Sequence, residues 1–242
     1  MKLRAQSSRP RSIILCPLAV EYEVIAGSTL THHNDIICTG PGYDAIIFAL
    51  EDCRDRLEEL EGGWDEDLHR IPFVLAGVAG SLCVECSAGS AWVGRSITSE
   101  QGKTVSTSWP TTEQRGAVGL TMMDILGSDT ILDTVSAKVQ ARDRFGVHLV
   151  DTESHALAEW AKDEGFSFGV VRGVSDSFEN ALPPCVMNWT HPDGRTDMRR
   201  VVRDLALHPW WIPAVRELGR NTRDALDGVV GLLEMLGLGE DG

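Results

Sequence analysis

Short apolar runs that alternate with segments of helical periodicity constrain the fold of this chain more than any other feature of its sequence. Ser12–Pro17 is a short apolar run closed by proline, as expected of a strand buried on both faces, and Asp35–Thr39, Pro72–Ala76, Ala91–Ile97, Val147–Asp151 and Phe168–Arg172 read as further strands. Between them, a helix runs through Ala45–Leu50 into an acidic exposed stretch that reaches Glu61. His155–Glu164 carries Ala156, Leu157, Trp160 and Ala161 at helical spacing. Residues 209–236 hold one or two closing helices, with Pro213 near the start of the main one. Residues 99–130 are polar and turn-rich and define no clear element. The alternation predicts a three-layer α/β/α domain around a central mixed sheet. Residues 1–11 are expected to form a disordered lead, 12–236 a single domain, and 237–242 a flexible tail.

Charge and composition remove several function classes. A net charge of −14 repels phosphate backbones, which argues against nucleic-acid binding, and it disfavours purely electrostatic attachment to anionic lipid. No run of about 18 apolar residues is present to cross a membrane. The basic, polar N-terminus lacks the apolar stretch and small-residue cleavage site of a signal peptide, so a cytoplasmic enzyme is expected. The cysteines are scattered through apolar segments, as packed reduced thiols are. Cys83 and Cys86 form a C-x-x-C with no second pair, and His32–His33 has no partner cluster; neither a metal nor a cofactor is expected.

The stretch from Val150 to Asp176 is the most informative chemically. Glu153 lies just past one strand end and opens a helix; Arg172 and Asp176 lie at the end of the next strand. Ligands of open α/β sheets gather where strands finish. Singly, Glu153 reads as a helix N-terminal carboxylate and Asp176 as a turn aspartate. Together they form a candidate set of two carboxylates and a guanidinium. No G-x-G-x-x-G follows the first strand and no G-x-S-x-G is present, so dinucleotide binding and a serine-hydrolase elbow are poor readings.

Asp151-Thr152-Glu153-Ser154, followed by Arg172-Gly173-Val174-Ser175-Asp176, resembles the paired signature of the nucleoside phosphorylase/nucleosidase superfamily. Gly77-Val78-Ala79-Gly80-Ser81-Leu82 resembles its G-x-A-G-G-L loop, and Thr39-Gly40-Pro41-Gly42 its S/T-G-x-G turn. Ala19–Val24 resembles the acidic segment of methylthioadenosine nucleosidases. Ala181-Leu182-Pro183-Pro184, Asp193-Gly194-Arg195 and a closing helix near Pro209 and Pro213 resemble the hopanoid-associated branch, the adenosylhopane nucleosidases/phosphorylases. Two positions depart from the pattern: Thr152 replaces a methionine that packs near the ribose, and Ser81 replaces a loop glycine.

The resemblance implies cleavage of the N-glycosidic bond of a purine nucleoside carrying an apolar 5′ substituent, with adenosylhopane as one candidate. Asp176 would protonate purine N7, a task for a carboxyl whose pKa burial has raised. Glu153, with Thr152 beside it, would accept the ribose hydroxyls. Glu23 would orient the attacking water, with Glu21 its rival two residues away. Arg172 would position that water or keep Glu153 ionised. The backbone of Gly40 and of Gly77, Val78, Ala79 and Gly80 would face the nucleophile; Thr130, Ile131, Ser175 and Trp109 would line the base pocket. Water is preferred over phosphate, because a carboxylate at Glu23 repels phosphate and Arg95 and Arg115 read as surface residues. Phosphorolysis is the alternative; a non-catalytic nucleoside-binding protein is a reading of another class. Trp189, Trp210 and Trp211 read either as packing for the closing helix or as an apolar wall or patch for a hydrophobic substituent or a membrane-borne lipid substrate. A homodimer is expected from the resemblance alone.

Overall fold

The computed structural model describes residues 10–61 and 68–239. Eight strands form one mixed sheet: β1 (Ile13–Cys16), β2 (Asp35–Cys38), β3 (Phe73–Ser81), β4 (Ala91–Ser99), β5 (Thr104–Ser106), β6 (Met122–Gly127), β7 (Leu149–Asp151) and β8 (Phe168–Asp176). The order is β2-β1-β3-β7-β6-β4-β5, and β8 bridges β3 and β4. The pairings of β1 with β2 and β3, of β3 with β8, and of β6 with β4 and β7 are parallel; β3 with β7, β4 with β5 and β4 with β8 are antiparallel.

Helices cover both faces, giving the expected α/β/α layering. Seven of them, α1 (Ala19–Ala26), α2 (Tyr43–Glu61), α3 (Thr112–Val118), α4 (Val135–Phe145), α5 (Ser154–Glu164), α6 (Met198–Leu207) and α7 (Ile212–Leu233), are present among the described residues. On one face, Ile46, Leu50 and Leu57 of α2 and Ala156, Leu157 and Trp160 of α5 pack on Leu15, Phe73, Leu75 and Val170. On the other, Ile25 of α1 and Val229 and Leu233 of α7 pack on Ile14, Val74 and Val171. β3 and β8 are flanked on both sides, which is why their runs are continuously apolar rather than alternating.

Several elements differ from expectation for local reasons. β3 continues through Gly77–Gly80, so these residues lie inside a strand, not in a loop. β8 likewise carries Asp176 within the sheet. The 99–130 stretch yields β5, α3 and β6, and α3 is opened by a capping box between Thr111 and Gln114. α4 is capped by Thr134 and stopped by Gly146 at φ 65°. Expectations for residues 1–9 and 240–242 lie outside the described residues. Arg11, placed in the disordered lead, donates its backbone N–H to His33 (2.8 Å). The tail from Gly237 to Gly239 is not free either: Leu238 is buried, and its carbonyl accepts from Asn34 Nδ2 (2.7 Å). No helix among the described residues is long and apolar enough to cross a membrane.

Candidate active site

A cavity of about 430 Å³ opens at the ends of β3, β7 and β8. Asp151, Thr152, Glu153, Ser175, Asp176 and the Val78–Gly80 backbone line its polar side; Leu18, Ile131, Leu182, Val186, Trp189 and Leu218 are among its apolar walls.

Arg172 organises the floor. It is fully buried on β8. Its Nε donates to Asp151 Oδ2 (2.7 Å) and its Nη2 to Glu153 Oε2 (3.2 Å), while Nη1 has no partner. Burial works against its charge, but Asp151, Glu153 and Glu21 together hold its pKa above the ordinary value. Asp151 Oδ1 accepts the backbone N–H groups of Glu153 (3.2 Å) and Ser154 (2.9 Å), so one carboxylate both starts α5 and anchors the guanidinium. Glu153 is fixed from three directions: Oε1 accepts from Gly42 N (3.1 Å) and Thr152 Oγ1 (2.5 Å), and Oε2 from Arg172. Thr152 thus supplies a hydroxyl that orients the carboxylate.

The acidic group of α1 that reaches the cavity is Glu21, not Glu23. Leu18 is the N-cap, and Glu21, three residues on, turns its Oε2 back to accept from Leu18 N (2.7 Å); its Oε1 accepts from Val78 N (2.7 Å) on β3. Two further residues rotate a helix by about 200°, which points Glu23 outward, where it is exposed. Burial raises the pKa of Glu21 to about 7, against the lowering effects of Arg172 and of the Leu18 and Val78 N–H groups, and Glu153 adds a further raising effect. Gly77 makes this arrangement sterically feasible. A Cβ there would lie 2.5 Å from Glu21 Cδ and 2.8 Å from Arg172 Nη1.

Asp176 faces the cavity from the end of β8, opposite Gly80 across a register shift in the β3–β8 ladder. Its Oδ1 accepts from Ser175 Oγ (2.8 Å), and its Oδ2 is paired with Lys138 Nζ (2.5 Å). Lys138 is fully buried on α4 and also donates to the carbonyls of Ser177 (2.7 Å) and Asn180 (3.0 Å). Sequence reasoning missed it, because a lone lysine in a polar helix reads as a solvated charge.

Thr130, Ile131 and Ser175 line the cavity, as do Val78, Ala79 and Gly80. Gly40 does not. It adopts φ 85° against the carbonyl of Pro192, and a side chain at that position would collide with it. The cover over this side of the cavity is the turn from Thr190 to Thr196, whose Gly194 carbonyl accepts the Ala19 N–H (2.9 Å) at the start of α1. Trp109 is not at the cavity; it is buried in the core behind Gly169. Trp189 lines the cavity, Trp210 is exposed and Trp211 half-buried. Arg95 pairs with Asp124 and Arg115 with the carbonyls of Pro110 and Thr107; neither lines the cavity. Cys83 and Cys86 are buried free thiols, and no cluster of potential metal ligands occurs among the described residues.

The architecture is that of solved nucleosidases. Futalosine hydrolase of Helicobacter pylori superposes with a TM-score of 0.62 over 93% of this chain and 95% of its own, at 13% identity. A 5′-methylthioadenosine/S-adenosylhomocysteine nucleosidase from the same organism, bound to butyl-thio-DADMe-Immucillin-A, gives 0.63 over 95% and 98%, at 13% identity. The corresponding nucleosidase from Colwellia psychrerythraea 34H, in complex with adenine, gives 0.64 over 94% of each chain, at 15% identity. Compared by sequence, the chain matches no family model and no curated protein. The chain therefore shares the fold of these nucleosidases over nearly its whole length.

Proposed function

We propose that this protein is a purine nucleosidase that hydrolyses the N-glycosidic bond of an adenine nucleoside with an apolar 5′ substituent. The observation that carries the reading is the convergence of Glu21, Glu153 and Asp176 on one cavity, with Arg172 buried beneath them. In the proposed reaction the C1′–N9 bond breaks with its electron pair going to the purine. Asp176 relays a proton from the Lys138 ammonium bound at its Oδ2 to N7, so that adenine leaves neutral, Asp176 remains a carboxylate and Lys138 is left as the amine. Glu153 accepts hydrogen bonds from the ribose hydroxyls. Water adds to C1′ and its proton passes to Glu21, whose pKa near 7 makes it a working base at neutral pH. The unpartnered Arg172 Nη1, beside Glu21 at Gly77, is a donor available to orient that water.

Water rather than phosphate is favoured because neither Arg95 nor Arg115 reaches the cavity, and the guanidinium that lies beneath it is already held by two carboxylates. The apolar walls around Trp189 and Leu218 suit a hydrophobic 5′ group, and adenosylhopane is the candidate the sequence resemblance supplies. A homodimer belongs to the same reading. The test is incubation with methylthioadenosine, adenosine and an adenosine bearing a long alkyl 5′ group, with and without phosphate. Phosphate-independent release of adenine and free sugar is expected, fastest with an apolar 5′ group. Binding without release of base would leave only a nucleoside-binding protein.

A further inference from the structure

The outer face of α6 and the turn that follows it are unlike the rest of this acidic protein. None of the residues of α6 is buried. Val201, Asp204 and Leu205 are partly covered and face the body, where Asp204 Oδ2 accepts the indole N–H of Trp189 (3.0 Å). Met198, Val202 and Ala206 recur every fourth residue and form an exposed stripe; Met198 is 62% and Val202 64% accessible. Arg199 and Arg203 form the neighbouring stripe and both are exposed, Arg203 with its guanidinium on Asp204 Oδ1 (2.9 Å). Beyond the helix, Leu207 and Trp210 continue the apolar surface, 63% and 68% accessible. His208 packs against Trp210 and Trp211, with ring centroids 5.1 and 4.1 Å apart. α6 carries three arginines, Arg199, Arg200 and Arg203, against one carboxylate, Asp204, in a molecule whose net charge is −14.

We propose that this surface, α6 with the Pro209–Trp211 turn, docks on an anionic lipid bilayer. Net charge alone would keep the protein off such a surface. Local complementarity overcomes this: an apolar stripe sinks to the level of the acyl chains, flanking arginines keep their charged heads among lipid phosphates, and a tryptophan sits at the interface. The geometry also links the surface to the cavity. The inner side of α6 holds Trp189, a cavity wall, so one helix separates the docked surface from the cavity.

The test is flotation of the purified full-length chain with vesicles of phosphatidylcholine and phosphatidylglycerol mixed about three to one, against vesicles of phosphatidylcholine alone. The protein is expected to float with the mixed vesicles, several-fold less with the neutral ones, and to be released by high salt. The double variants Arg199→Glu/Arg203→Glu and Leu207→Ser/Trp210→Ser are each expected to lower the floated fraction by about tenfold or more. Both should keep the thermal melt and any turnover of soluble methylthioadenosine. Flotation requires no nucleoside, so failure of the proposed reaction does not bear on it. The proposal is overturned if the wild type stays with the soluble fraction at low salt, if both folded variants float as the wild type does, or if sedimentation velocity shows an oligomer that Leu207→Ser/Trp210→Ser dissociates.

Discussion

Gly77 of β3 pairs directly with Arg172 of β8, and the volume its missing side chain leaves is filled by the Glu21 carboxylate and the unpartnered Arg172 Nη1. The glycine is required by close approach of charged groups rather than by backbone conformation. Gly77→Ala must push one of the two aside, at a cost of about 1–3 kcal/mol for overpacking a buried site. A lowered melting temperature is expected, together with a loss of adenine release disproportionate to the loss of stability. A variant with wild-type turnover would show that the Glu21–Arg172 spacing is not needed.

Asp176→Asn keeps the shape of the side chain but removes the carboxylate that would pass the proton to the base. Adenine release should fall by about 10²-fold or more while the folded structure is retained. Glu23→Gln, on the exposed side of α1, should leave turnover unchanged, whereas Glu21→Gln should reduce it by a similar factor. Equal losses at positions 21 and 23 would contradict the helix register.

Lys138→Met leaves Asp176 buried without its cation. Breaking such a pair by removing one partner costs about 3–5 kcal/mol, so denaturant midpoints should fall markedly. Lys138→Met/Asp176→Asn should recover part of that loss, because the stranded charge is gone. A double-mutant cycle with no coupling would mean that the two groups do not interact in solution.

The raised pKa of Glu21 makes stability depend on pH. The folded state holds this proton up to about pH 7, whereas the unfolded chain releases it near 4.5. The stability it contributes is full below pH 4.5, declines as pH rises, and is lost above about 7. The linked change is on the order of 3 kcal/mol. Glu21→Gln should flatten that decline in thermal melts between these limits. The proposed reaction has the opposite slope, since its base would have to be ionised: turnover should rise through pH 7 on the limb that Glu21 controls.

Much of the layering was legible because apolar runs and helical spacing report burial directly. The grouping of Glu153, Arg172 and Asp176 was also legible, since each follows or closes a strand that those runs define. Three features were not. The choice between Glu21 and Glu23 depends on where α1 begins, and its cap is Leu18, a residue with no capping signature. β3 runs on through a glycine-rich segment that has the composition of a turn, because the side chains missing there make room for Glu21, Arg172 and Asp176. Lys138 lies on α4, whose polar composition gives no sign that one of its charges is sealed against a carboxylate.

The bond between the Ala19 amide and the Gly194 carbonyl joins the cover of the cavity to the first turn of the helix that presents Glu21. Displacing that cover exposes the Ala19 proton to solvent. Hydrogen exchange at this single backbone position therefore acts as a gauge of how often the chamber is unlatched, and a tightly held ligand should slow it.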